Sequence, residues 1–89
     1  MSNNDFIEEM EIATVDYIEK EIRFLRTVLS YGNHSIRERA RIVDSTLSRC
    51  FGAFMCFLSA ADNSNVYTDE ELAMFDNYWH TKKKQIEAL

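Results

Sequence analysis

Between Ile36 and Ala61 the chain carries an unbroken stripe of small and apolar residues at Ile36, Ala40, Val43, Leu47, Cys50, Phe54, Phe57 and Ala61. Alternating steps of four and three residues keep one face of a long helix on one side. Halfway along, the pattern changes. From Cys50 to Ala61 (CFGAFMCFLSAA) every side chain but Ser59 is apolar or absent, so this half is expected to be buried nearly all round. A short chain has few elements with which to cover a helix on every side. The stripe therefore predicts self-association or a docked partner.

With 89 residues, 46% of them hydrophobic and no proline, the chain reads as one helical domain over 1–89. It is too apolar for a disordered segment and near the lower size limit for a self-sufficient core. The start, MSNNDFIEEM, has neither a basic nor an apolar signal region, and the longest apolar stretch, broken only by Ser59, has twelve residues. These features lead us to expect a cytoplasmic protein that does not enter a membrane. Cys50 and Cys56 are six apart on one helix, about 120° apart around its axis. They cannot bond to each other there, and packing is expected of both. No CxxC or histidine cluster accompanies them, so no metal or cofactor is expected.

The first helix is expected over about 5–31, opened by Asp5 and Glu8 as a capping pair. Its inward stripe is Val15, Ile18, Ile22, Leu25 and Leu29, with Gly32 placed to end it in the left-handed conformation. The second helix, about 36–61, opens on Ser35 and Glu38, a capping-box spacing. A connection this short demands an antiparallel hairpin. Asp62-Asn63-Ser64-Asn65 reads as a polar break. Thr68 and Glu71 cap a third helix over about 69–87, with Tyr67 able to staple onto Leu72 and with Leu72, Phe75, Trp79, Ile86 and Leu89 inward. The predicted fold is all-α: an antiparallel helical hairpin plus a third helix, an up-down-up bundle that self-associates.

Charge is sorted along the chain. Residues 1–19 and 62–76 carry acids without a single base, whereas Lys20 and six arginines dominate residues 20–49. An up-down-up bundle gathers the acids at one pole and the arginines at the hairpin pole. The bland reading is solvated faces. The sharper one is an anion site for a phosphate-bearing small ligand or nucleotide, formed by His34, Arg37, Arg39, Arg41, Arg23 and Arg26 around the second helix's N-terminus. Extended duplex nucleic acid is not expected, because the net charge is −5.

Opposite the apolar stripe lie Ser45, Ser48, Gly52, Cys56 and Ser59, bordered by Phe51, Met55 and Leu58. A mid-helix glycine costs about 1 kcal/mol relative to alanine, which makes best sense where another backbone comes close. This face, with Phe51 and Met55, is the expected self-association surface, most simply a twofold homodimer. A solvated serine face and a small-molecule pocket beside Gly52 are the alternatives. Trp79 belongs to the third helix's inward stripe. Were Tyr78, Trp79 and His80 partly exposed, they would suit a protein-partner hot spot.

No phosphate loop, nucleophile elbow, zinc-binding histidine pair or paired catalytic carboxylates occurs. Asp76 and His80, four apart, suit a surface hydrogen bond. Two short resemblances occur. Ser35-Ile36-Arg37-Glu38-Arg39 resembles the helix opening of small phage helical-hairpin proteins that sequester cyclic oligonucleotides, over about five residues. The segment Thr68–Phe75 resembles a helix start in small nucleoid-modulating proteins of the Hha type, over about seven. The expected function is non-catalytic binding of a macromolecular partner as adaptor, regulator or inhibitor, by a homo-oligomer of phage or mobile-element origin. The alternative is binding of a nucleotide or phosphate at the arginine pole.

Overall fold

The computed structural model describes residues 3–89, which form α1 (Asn3–Ser30), α2 (Ile36–Ser64) and α3 (Asp69–Glu87), with no strand among them. The chain is a three-helix, all-α protein, as the apolar periodicity requires. Its Cα atoms span 48 × 24 × 14 Å with a radius of gyration of 15.0 Å. A compact chain of this length would have about 12 Å, so the bundle is elongated and thin.

Local signals in the sequence account for most helix ends. Gly32 has φ 77 and closes α1 in the left-handed region, which only glycine enters without strain. The Ser35 hydroxyl accepts from the Glu38 amide at 3.1 Å. At α3 the capping box is complete: Thr68 Oγ1 accepts from the Glu71 amide at 3.1 Å, and the Thr68 amide donates to Glu71 Oε1 at 3.0 Å. Tyr67 and Leu72 pack on one aromatic-lined cluster, as a staple would.

Two ends differ from expectation. The first turn of α1 already contains Asp5, so Asp5 lies inside the helix and not at its cap. α2 runs one turn beyond Ala61, through the polar residues expected to break it, and ends at Asn65 with φ 59. Ala61 is buried against Ile7 and Phe57, which anchors that turn. Ser64 Oγ donates to the Ala61 carbonyl at 2.8 Å and accepts from the Val66 amide at 3.2 Å. Asparagine tolerates the left-handed conformation that Asn65 adopts there.

The core forms where α2 meets both other helices. Ile18, Ile22 and Leu25 of α1, Cys50 and Phe54 of α2, and Trp79 and Ile86 of α3 make one buried cluster. Ile7, Phe57 and Ala61 make a second toward the acidic pole. Phe54 stacks on Trp79 with centroids 5.5 Å apart, and Phe57 meets Phe75 edge-on at 5.1 Å. α1 is joined to α3 chiefly through long side chains, Tyr78 to Glu19 and Lys82 to Glu19, and to the connection before α3 by Tyr67 to Glu11.

The structure shifts both stripes. Ile36 is 89% exposed, and Ala40 is exposed too. The first turn of α2 projects past the packed region, which starts at Ile42 and Val43. In α1, Val15 is more than one-third exposed while Thr14 is buried. The inward line therefore runs through Ile7, Thr14 and Ile18, with a threonine where the hydrophobic pattern points to valine. Thr46, also buried, does the same in α2, and its hydroxyl accepts from Arg49 Nη2 at 3.3 Å. Phe54→Ala should cost about 3–5 kcal/mol, read as a lower midpoint in urea unfolding. Ile36→Ser should change stability by less than about 0.5 kcal/mol.

Candidate functional site

The expected all-round burial of Cys50 to Ala61 is not met within one chain. Cys50, Phe54, Phe57 and Ala61 are buried. Phe51 and Met55 remain 49% and 42% exposed, and Ser45, Ser48, Gly52, Cys56 and Ser59 are exposed as well. Two covering helices reach only part of the circumference of a third. A Cβ added at Gly52 would meet no atom within 4 Å. The expected self-association residues thus share one open face of α2, and no helix of the chain lies across it.

Two members of that face are tied down. Phe51 leans on Trp79 with centroids 5.7 Å apart. Ser45 Oγ accepts from Arg49 Nη1 at 2.6 Å. Arg49 then reaches across to α1, its Nη2 3.0 Å from Glu21 Oε2. This fork, absent from the sequence-derived candidates, locks α2 to α1 along the edge of the open face. The Glu21 carboxylate holds the Arg49 guanidinium above its ordinary pKa, against the opposing effect of burial. The signal for it is that Arg49 is the one charged residue of α2 between Asp44 and Asp62.

By length and composition, α2 is apolar enough to cross a membrane, with mean hydropathy 1.2 over an 18-residue window of which 22% is buried. A count of uninterrupted apolar residues misses this, because the window admits isolated charges. Here the segment serves as the helix on which α1 and α3 pack.

The arginine pole is less convergent than its sequence spacing suggests. Arg39 Nη2 donates to the Leu89 carbonyl at 2.8 Å and so fastens the end of the chain to α2. His34 Nε2–H donates to the Val28 carbonyl at 3.1 Å, with Nδ1 3.7 Å from the Glu38 carboxylate. His34 therefore closes the turn. Arg23, Arg26, Arg37 and Arg41 are exposed and belong to no ion pair among the described residues. None of these six residues lines a described cleft.

On α3, Trp79 is 7% exposed and packs against Phe51 and Phe54 in the core, with its remaining surface in a cleft lined by Leu47, Ser48, Phe51 and Lys83. Tyr78 is half-buried, donating to Glu19 Oε1 at 3.1 Å beneath the Lys82 ammonium. His80 alone of the three is exposed. The most apolar cleft, about 300 Å³, lies between α1 and α3 and is lined by Val15, Phe54, Phe57, Met74 and Phe75 with Glu11 and Tyr78 at its edge.

Burial pushes the Cys50 thiol up to about 11 and leaves it a packing group, whereas Cys56 is exposed. No group of acids, cysteines and histidines suited to a metal ion occurs among the described residues. No protein-family model matches the chain, and no curated protein or solved structure does either.

The α1–α3 contact depends on Glu19. Hydrogen bonding to Lys82 holds its carboxyl below the ordinary value of 4.5, burial opposes this, and the Tyr78 hydroxyl adds to the lowering. The folded chain thus holds this proton less tightly than the unfolded one. The stability from this site is present above pH 4.5 and lost as pH falls through the lower, folded value. Glu19→Gln should lower the melting temperature at neutral pH and flatten its decline between pH 4.5 and more acid conditions, read from thermal melts across that range.

Proposed function

We propose that this chain is a non-catalytic binding protein that works in the cytoplasm as a homo-oligomer, built on the open face of α2 and acting as an adaptor, regulator or inhibitor of a macromolecular partner. The observation that carries this reading is the mismatch between the composition of α2 and its burial. Its apolar half leaves Phe51, Met55 and Cys56 exposed around a glycine with open space above it. Such a surface is disfavoured in water, and covering it would contribute roughly 25 cal/mol for every Å² of apolar area removed. A second copy of the chain is the occupant favoured, because the face is small-sided enough to admit a helix at close range.

A second reading keeps the arginine pole as a site for a nucleotide or other phosphate. It is supported by Arg23, Arg26, Arg37 and Arg41, which are exposed and belong to no ion pair among the described residues.

Native mass spectrometry of the untagged protein at low salt, compared with a Gly52→Leu variant, tests the proposal. The expected result is an oligomer for the parent and a monomer for the variant. A Cβ at this position meets no atom within 4 Å and leucine is the better helix former, so the variant monomer should gain about 0.5–1 kcal/mol of stability. A parent that stays at 10.5 kDa over the accessible concentration range overturns the self-associating reading. A phosphate-sized mass retained on the parent and lost in Arg37→Glu would favour the arginine pole instead.

A further inference from the structure

The open face of α2 has its own heptad register: Arg41, Ser45, Ser48, Gly52, Met55, Ser59 and Asp62 follow one another at steps of four, three, four, three, four and three. All seven are exposed. The sequence of side chains along this line is nearly symmetric about Gly52. Ser45 and Ser59 stand seven residues to either side of the centre, Ser48 and Met55 lie between them and Gly52, and the two ends carry opposite charges. Arg41 and Asp62 are 21 positions apart, which is about 32 Å along the helix. Neither takes part in an ion pair or a side-chain hydrogen bond among the described residues.

We infer that α2 pairs with α2 of a second copy in an antiparallel arrangement, with the twofold axis beside Gly52 and each Arg41 facing Asp62 of the other copy. This rests on the self-associating reading above and adds its orientation and register. The rotation brings Gly52 against its own mate and Ser45 against Ser59 of the second copy. It also places Ser48 against Met55. Glycine at 52 and serines at 45, 48 and 59 let two helices approach closely within the usual 8–10 Å separation, with Met55 lying over the small Ser48 of the other copy. A parallel pair would do the reverse at the ends, setting Arg41 against Arg41 and Asp62 against Asp62.

The wider charge distribution favours the same orientation. Arg37, Arg39 and Arg41 stand in the first two turns of α2 and Asp62 in its last, which is opposite to what the helix macrodipole prefers. An antiparallel neighbour brings its acidic end beside these arginines. It also lays the acidic pole of one bundle, the starts of α1 and α3, toward the arginine pole of the other. Like poles would meet in the parallel alternative, at a cost that grows as salt is removed.

Disulfide trapping separates the orientations. On a Cys56→Ser background, which leaves only the buried Cys50, Ser45→Cys and Ser59→Cys are made as separate proteins. In the antiparallel register two copies of position 45 lie about 20 Å apart, beyond the reach of a disulfide. Each variant alone should therefore stay uncrosslinked under mild oxidation, while a mixture of the two should give a covalent heterodimer. Crosslinking of either variant with itself, or failure of the mixture to crosslink while native mass spectrometry still finds a dimer, overturns the register and leaves the self-associating reading standing. Absence of any dimer overturns both. Charge reversal gives an independent readout. Arg41→Asp and Asp62→Arg should each weaken the dimer roughly tenfold or more at low salt, and the double variant should recover most of that loss. A double variant as weak as the two single changes combined would show that these charges do not face each other, and would overturn the register.

Discussion

Everything in this molecule hangs on α2 being packed on two sides at once. Cys50 and Phe54 lie in the same buried cluster as Ile18 and Ile22 of α1 and as Trp79 and Ile86 of α3, so one seam of one helix holds the whole core together. α1 and α3 share few close backbone approaches and are coupled mainly through it. An apolar helix needs cover around most of its circumference, and two neighbours supply only part. The outer face of α2, with Gly52 at its middle, is what remains.

Acidic residues of α1 do more than mark a pole. Glu11, Glu19 and Glu21 are the partly shielded carboxylates of that helix, and each accepts from another element: Tyr67, then Tyr78 and Lys82, then Arg49. Residues 11 and 19 are eight apart and fall on one side of α1, the side toward α3. These bonds bridge a gap that apolar contacts leave open, over the cleft lined by Val15, Phe57 and Met74. Half-buried, charge-assisted pairs of this kind are worth more than exposed ones, and they tie α1 to α3 and to the connection before it across that cleft.

Much of the fold is legible in the sequence because its signals are local. Thr68 and Glu71 make the capping box their spacing predicts, Ser35 caps α2, and Gly32 takes the left-handed conformation. The inward set of α3 and the central part of each long stripe are placed as the periodicity requires. Where the pattern misleads, a neighbour decides. Ile36 and Ala40 continue the stripe of α2 yet face solvent, because the packed part of that helix begins only at Ile42 and Val43. Thr14 is buried in preference to Val15 because the packed side of α1 is set by Ile7 and Ile18. The residues expected at the arginine pole are correctly grouped near the hairpin, but two of them are spent on the fold, Arg39 on Leu89 and His34 on Val28.

The sequence by itself determined that this chain is three helices in an up-down-up order, since helix period, caps and short connections depend only on nearby residues. It also placed an apolar run in the second half of α2, of which Phe51 and Met55 stay about half exposed in the fold. Which residues meet was decided by tertiary structure. The Arg49–Glu21 fork, the Glu19 tether and the stacking of Trp79 on Phe54 join residues far apart in the chain, and their geometry follows from how far each helix is rotated and slid against its neighbours. The same placement decided that the uncovered part of α2 is the line from Arg41 to Asp62, because α1 and α3 take the other side.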